Sequence, residues 1–496
     1  MAKRKRGPTW EPKPQDLRDA LGVQNPWWVD GAVPEIYAPP VERRLASLLE
    51  QRIRRDEPRR FQVVLGPRRV GKTTVMYQTV RHLLRAGVAP ARVAWFRLDH
   101  PLLARIPLGD LVDSEMRARR VSREEPLYLF LDELTYASEW DLWLKTFYDE
   151  VRPVRLVGSS SSSAALRSGR NESGIGRWDE QYLAPYLFGE YLGLLAKSVA
   201  IPVEATLADT LEAAIRNPPA LTGVAQQRRR FLLTGGFPEL LLLRENTEAD
   251  ESTLLLRSQQ VLRNDAVERA IYKDIPQAYG VESPLMLERL LYVLAGQIGG
   301  ILSPKTLCEN LDGLSQPTFD RYLSYLTQAF LVFTLENYSG TEMATQKRGR
   351  KLFFVDGAIR NAALQRGTGP LNDPSEMGLL QENMIAAHLH ALSQQTQVRL
   401  YYWRSKDDEV DFVYDHPEKP VVLEIGSSTG HHRRGLRALM AKYKRFEGRC
   451  YLVSPDATPT LPADSSDQIG AMPLDLLLLA VGAQVERDLA RRLQTG

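Results

Sequence analysis

FQVVLGPRRVGKTT, residues 61–74, decides how the rest of the chain is read. FQVVL is a short, nearly continuous apolar run, the pattern of a strand buried on both faces. GPRRVGKT (66–73) fits the spacing G-x-x-x-x-G-K-[ST], and a helical pattern runs from Lys72 towards Ala86. Strand, glycine-rich turn and helix N-terminus, in that order, build a phosphate cradle. Gly66 and Gly71 let the main chain close around phosphate oxygens without a Cβ in the way. The helix N-terminus adds partial positive charge. Gly66, Pro67, Arg68, Arg69, Val70, Gly71, Lys72, Thr73 and Thr74 are therefore expected to line the phosphates of a nucleotide. Lys72 is expected to reach the β- and γ-phosphates and Thr73 to ligate Mg²⁺, which makes ATP and Mg²⁺ the implied cofactors.

Working outward, RVAWFRL (92–98), LYLFLD (127–132) and VRLVG (154–158) repeat the buried-strand pattern between helical stretches. Strands alternating with helices predict an α/β domain with a parallel sheet covered on both faces. LFLDEL (129–134) supplies the acidic strand end that such a site needs. Asp132 is expected to hold Mg²⁺, and Glu133 to polarise the water that attacks the γ-phosphate. VRLVG runs into five serines, 159–163. Either Ser159 or Ser160 senses the γ-phosphate, or the run is a flexible loop. Three arginines follow, Arg167, Arg170 and Arg177. Arg177, in GIGRW, is the candidate for a catalytic cation supplied in trans, and that expectation implies an oligomer, such as a ring.

The 64 basic and 61 acidic residues leave a net charge of +3, which excludes a strongly basic coat but not local basic patches. Cys308 and Cys450 form no CxxC pair, so a zinc ribbon or thioredoxin-like motif is excluded. No apolar run approaches the roughly 18 residues that span a bilayer. The expectation is a soluble cytoplasmic protein without membrane contact.

Five segments follow from the pattern: a basic, Pro-rich tail (1–30), the α/β nucleotide domain (31–200), a helical lid or linker (201–300), a winged helix (301–370) and a second α/β domain (371–496). The KRKR of the tail is either a solvated end or a nucleic-acid arm. The winged helix is read from SPKTLCENLDG (303–313), SQPTFDRYLSYLTQ (315–328) and two strand-like runs joined by a loop with KRGRK. Phe319, Leu323 and Leu326 share one helical face and are expected in the core. Gln316, Thr318, Arg321 and Ser324 then face outward, where Gln and Arg suit base edges and Thr and Ser suit phosphates. Lys347, Arg348, Arg350 and Lys351 are expected as phosphate contacts of the wing. The module serves either DNA or a protein partner.

GPRRVGKTT, LFLDEL, VGSSSS, GIGRW and LFGEY, followed by GGFPE (235–239), the winged-helix stretch, KLFFVD, QEN, YYWR, EVDFV and EI-x-S-S, resemble the prokaryotic AAA-type ATPases that carry a C-terminal domain of unknown function. The resemblance covers about residues 25–455. It implies a restriction-endonuclease-like fold at the C-terminus, in which acidic residues on neighbouring strands hold a divalent metal beside a lysine. Asp411 and Glu424, thirteen residues apart, match the strand positions as possible metal ligands, with Glu382 arriving from the preceding helix. The family pattern Glu-x-Lys reads here Glu424, Ile425, Gly426. With no lysine at 426, a degenerate site that does not cut DNA is expected, unless Lys442 or Lys444 moves in. The cations of HHRRGLRALMAKYKRF (431–446) are either a solvated face or a phosphate track.

The leading expectation is an ATP-hydrolysing motor or switch acting on DNA as an oligomer. A signalling ATPase that recruits a protein partner is the alternative, and an ATP-gated nuclease the third.

Overall fold

The computed structural model describes residues 14–55, 57–162, 176–242, 251–311, 313–341, 349–426 and 430–495. Arg167, Arg170, Lys347, Arg348 and the KRKR tail lie outside the described residues.

The first sheet has five parallel strands in the order β2-β3-β4-β1-β5. These are β1 (Phe61–Leu65), β2 (Val93–Arg97), β3 (Leu127–Asp132), β4 (Val154–Ser160) and β5 (Trp178–Tyr182). Successive side chains of a strand point to opposite faces. Val64, Phe130 and Val157 enter one core, with Leu48, Leu49, Val75 and Val80 of the helices Arg44–Arg55 and Lys72–Arg85. Val63, Leu129, Leu131 and Leu156 enter the other, with Leu108, Leu111, Leu144 and Phe147. Apolar demand on both faces explains why these strands read as continuous runs.

Two features of this sheet differ from the sequence expectation. The strand VRLVG extends through Ser159 and Ser160, both fully buried, so the start of the serine run is sheet rather than loop. WDEQY is a fifth strand, parallel to β1. Its polar composition hides it, because at the sheet edge Asp179 pairs with Arg60 and Gln181 with Gln62.

Seven strands form the second sheet, in the order β12-β11-β10-β9-β8-β6-β7. They are β6 (Val332–Asn337), β7 (Arg350–Phe354), β8 (Leu400–Ser405), β9 (Asp408–Tyr414), β10 (Val421–Ile425), β11 (Cys450–Ser454) and β12 (Ile469–Pro473). The helices Pro304–Asn310 and Gln316–Gln328 and the hairpin β6-β7 follow in the expected order, and Phe319, Leu323 and Leu326 are buried as the periodicity requires. The hairpin is not a free wing, however. β6 pairs in parallel with β8, so the boundary expected at residue 370 runs through one continuous sheet.

The last helix, Leu474–Thr495, packs against helices Arg44–Arg55, Phe188–Leu194, Leu207–Arg216 and Pro374–Thr396. Leu476, Leu477, Leu478 and Leu479 are all buried, as in a helix enclosed on every side. Asp475 at its start pairs with Arg228 at 2.6 Å. This helix ties the second sheet to the nucleotide domain. Among the described residues, no helix is long and apolar enough to cross a membrane.

Candidate functional site

β1 ends in the glycine-rich turn. A Cβ on Gly66 would stand 2.3 Å from the carbonyl oxygen of Leu183, so only glycine allows the chain to turn beside β5. Gly71 takes a left-handed φ of 92° and opens the helix Lys72–Arg85 without a side-chain cap, which leaves the first N–H groups available to anions. Lys72 is buried, and its Nζ donates to the carbonyl oxygens of Gly66 and Pro67 at 3.0 and 2.8 Å. Burial pushes its pKa down to about 8.

The order of the sheet places β4 between β1 and β3, which brings three strand ends together. Thr73 Oγ1 lies 3.2 and 3.1 Å from the two carboxylate oxygens of Asp132. Ser159 Oγ donates to Asp132 at 2.6 Å and accepts from the Glu133 amide at 3.0 Å. Glu133 has a left-handed φ of 55°, which turns the chain just after β3. Its carboxylate accepts from Ser161 Oγ at 3.3 Å. Burial, aided by Glu133, pushes Asp132 up to about 6. A hydroxyl and a carboxylate meeting beside a buried lysine suit a hard cation such as Mg²⁺. Ser161, which the sequence reading did not single out, is the neighbour of the expected sensors that reaches Glu133.

An open cleft of about 660 Å³ is lined by Arg68, Arg69, Lys72, Thr73, Glu133 and Ser161 and also by Pro39, Pro40, Val41, Tyr186 and Leu194. The helical segment closes one side. Arg68 makes a two-pronged pair with Asp274, and Arg69 is bonded to Glu239 and Asp265. Asp265 and Asp274 stand on the π-helical turns Arg263–Glu268 and Ala270–Asp274. Such turns recur at functional sites.

Arg177 stands apart from this cluster. Its carbonyl accepts from Phe61 N at the start of β1, the opposite end of the sheet from the glycine-rich turn, and its side chain pairs with Asp149 at 2.8 Å.

The second sheet gathers another set of groups. Asp411 and Glu424 lie on the antiparallel neighbours β9 and β10, as their spacing predicts. The Ile425 amide donates to Asp411 at 2.9 Å and the Asp411 amide to Glu424 at 3.2 Å. Glu382 arrives from the helix Pro374–Thr396. Lys351 is a correction to the sequence reading. Instead of contacting phosphate from a wing, it is 2% exposed, with Nζ at 2.6 Å from Glu409, 3.1 Å from Asp411 and 3.6 Å from Glu382. Burial opposes its charge, but the three carboxylates outweigh burial and raise its pKa. The carboxyls of Glu382 and Glu424 are pushed up, first by burial and then by Asp411. The expectation of a site without lysine therefore gives way to one in which the lysine arrives from β7.

Lys442 and Lys444 do not fill that role. Lys444 pairs with Glu447, and Lys442 lies over the Tyr443 ring. A Cβ on Gly426 would meet the His432 ring at 2.4 Å, so an imidazole occupies the space expected to be empty. His432 Nδ1 is 3.2 Å from Glu424. Lys351 already supplies the central positive charge, and among the described residues no three Asp, Glu, His or Cys side chains are arranged to hold an ion.

Of the expected DNA contacts, Gln316, Arg321 and Arg350 are exposed. Thr318 is half-buried and accepts from Arg321 at 3.2 Å. Ser324 is half-buried and accepts from Gln328 at 2.8 Å. On the basic helix, Arg433 and Arg437 pair with Asp467, and Arg434 pairs with Asp408.

A parallel sheet with a lysine-bearing phosphate turn on β1 and an acidic pair at the end of β3 defines a phosphate-loop ATPase. The comparisons agree. Residues 58–192 match the family model of the AAA domain. Residues 225–369 match "Domain of unknown function (DUF8612)", and residues 377–475 match "Domain of unknown function (DUF4143)". The chain thus combines an AAA-type ATPase domain over residues 58–192 with a C-terminal DUF4143 domain over residues 377–475.

The chain is 26% identical over 395 residues to an uncharacterized protein of Methanocaldococcus jannaschii, which covers 78% of this chain and 79% of that one. It is also 26% identical over 473 residues to an uncharacterized protein of Mycobacterium tuberculosis, with 93% and 92% covered. Among solved structures, the Walker-type ATPase of Pyrococcus abyssi aligns at a TM-score of 0.38 and 14% identity, covering 64% of this chain and 94% of that one.

Proposed function

We propose that this protein is an ATP-hydrolysing switch or motor that acts on DNA as an oligomer. The carrying observation is the continuous set Thr73–Asp132–Ser159–Glu133 beside buried Lys72. Lys72 exchanges its two carbonyl partners for β- and γ-phosphate oxygens. Glu133, steadied by Ser161, takes the proton of the attacking water. Thr73 and Asp132 would hold Mg²⁺, which would supply positive charge to offset that of the phosphates. Val41, Tyr186 and Leu194, which line the same cleft, offer the base an apolar wall.

Exposed Gln316, Arg321 and Arg350 around the helix Gln316–Gln328 support the DNA reading. Arg177 lies at the end of the sheet away from its own cleft, so a catalytic role for it requires a neighbouring copy. The test is the ATPase rate with and without single-stranded, duplex and branched DNA. Stimulation by one of them is expected. A rate indifferent to all three turns the reading to the signalling ATPase with a protein partner. For assembly, mixing Arg177→Ala with Lys72→Ala protein should restore part of the activity, and a lack of restoration makes Arg177 structural.

A further inference from the structure

Arg68 sits third in GPRRVGKT, and its side chain does not turn to solvent. It is 11% exposed and lines both the main cleft and a second recess of about 280 Å³. Glu133 and Ser161 border the same two spaces. The two-pronged pair with Asp274 uses Nε and Nη2, at 2.5 and 2.6 Å. That leaves Nη1 turned towards Glu133 Oε1, 3.7 Å away. Asp274 therefore does more than neutralise the arginine: by holding one edge of a planar fork, it fixes where the other edge points. The edge so aimed faces the junction between Lys72, which marks the phosphates, and Glu133, which marks the attacking water.

We propose that Arg68 is a catalytic residue acting in cis, with Nη1 on the γ-phosphate during hydrolysis and Asp274 as its positioning residue. The proposal rests on the ATPase reading above and names the group that stabilises the charge. In the reaction, a water oxygen forms a bond to the γ-phosphorus and the bond to the β,γ-bridging oxygen breaks. The electron pair stays on ADP, the water proton passes to Glu133, and inorganic phosphate leaves. Negative charge spread over the transferring group is met by the guanidinium, an electrostatic contribution made in the transition state. Because Asp274 belongs to the helical segment, any movement of that segment shifts the arginine, so hydrolysis is tied to the position of the middle region.

The experiment uses the full chain and four proteins: unmodified, Arg68→Ala, Arg68→Lys and Asp274→Asn. Turnover is measured beside the affinity for fluorescent ADP, with and without aluminium fluoride, which mimics the transferring phosphoryl group. Arg68→Ala should lose about 10²–10³-fold in kcat and keep its ADP affinity, which also reports an intact fold. It should lose the tightening by aluminium fluoride that the unmodified protein shows. Arg68→Lys should recover part of both, and Asp274→Asn should lower kcat by about tenfold, a share of that same loss. Mixing Arg68→Ala with Lys72→Ala protein should restore nothing. Full aluminium fluoride tightening in Arg68→Ala, or restoration on mixing, overturns the cis assignment while the ATPase reading stands. Absence of ATP turnover in the unmodified protein overturns both.

Discussion

Each of the two sheets buries one lysine among acids, and the two lysines behave in opposite ways. Lys72 donates to neutral carbonyl oxygens, and burial lowers its pKa to about 8. Lys351 is ringed by Glu409, Asp411 and Glu382, and its pKa rises. A lysine held by carbonyls in an open cleft has charge left to give, and phosphate oxygens can replace its weak partners. A lysine already neutralised by fixed carboxylates has none. The first lysine is held by neutral partners that a ligand can replace and the second by fixed opposite charges, although both would be described as a buried lysine beside aspartate.

The largest expected effect tests the first half of this contrast. Lys72→Ala should reduce ATP affinity by more than about 10³-fold, because charge-assisted bonds in a buried site are the strong ones. Titration with fluorescent nucleotide checks it, and binding within tenfold of the unmodified protein would remove Lys72 from the phosphates.

Lys351→Met tests the second half. Removing one partner of a buried ion cluster typically costs about 3–5 kcal/mol. Urea denaturation should show that loss with no change in nucleotide affinity. The sign of the pH dependence follows from the carboxylates left behind. Glu382 and Glu424, already raised to about 8 and about 9, rise further when the lysine is gone, so the folded variant binds more protons than the unmodified protein, and the loss should shrink as the pH is lowered from about 9 towards 7. A loss that grows on acidification contradicts the picture.

A smaller effect of opposite sign is expected at Asp132. Its folded pKa of about 6 exceeds the ordinary value of 3.8, so above pH 6 its ionised form costs stability. Asp132→Asn should therefore stabilise the nucleotide-free protein by about 2–3 kcal/mol at pH 7.5. The gain should fade as the pH drops through 6 towards 4. Thermal unfolding without nucleotide measures it. The same variant should lose Mg²⁺-dependent turnover, so one substitution separates stability from function.

The smallest effect concerns the exposed cations. Arg350→Ala should reduce the slope of log K against log salt for duplex DNA by about 0.9, the share of one phosphate contact. An unchanged slope moves the helix Gln316–Gln328 and its hairpin to the protein-contact reading.

The phosphate turn was legible in the sequence because its chemistry is local. Glycine at 66 and 71, lysine at 72 and threonine at 73 must be neighbours in the chain to be neighbours around a phosphate. β1 and β3 were read with the bounds they have, and Asp132 and Glu133 fall where the strand pattern ends. The periodicity of Phe319, Leu323 and Leu326 likewise fixed the buried face of their helix. What could not be read was pairing across long sequence separations. WDEQY carries no apolar run, because an edge strand can meet its polar groups with Arg60 and Gln62. KRGRK looked like a wing, since a lysine beside arginines resembles a solvated basic loop. Only the pairing of β6 with β8 draws that hairpin into the second sheet and Lys351 under Asp411. One hint was available: KLFFVD is otherwise buried-strand sequence, and a lysine there needs acidic company.

The sequence alone determined the glycine-rich turn between β1 and its helix and the acid pair at the end of β3, because short-range stereochemistry encodes them. The tertiary structure alone decided that Arg68 faces Glu133 from the grip of Asp274, 206 positions away, and that Lys351 belongs to the carboxylates. Charges separated by tens or hundreds of residues leave no periodic trace, and their meeting depends on how helices and sheets pack.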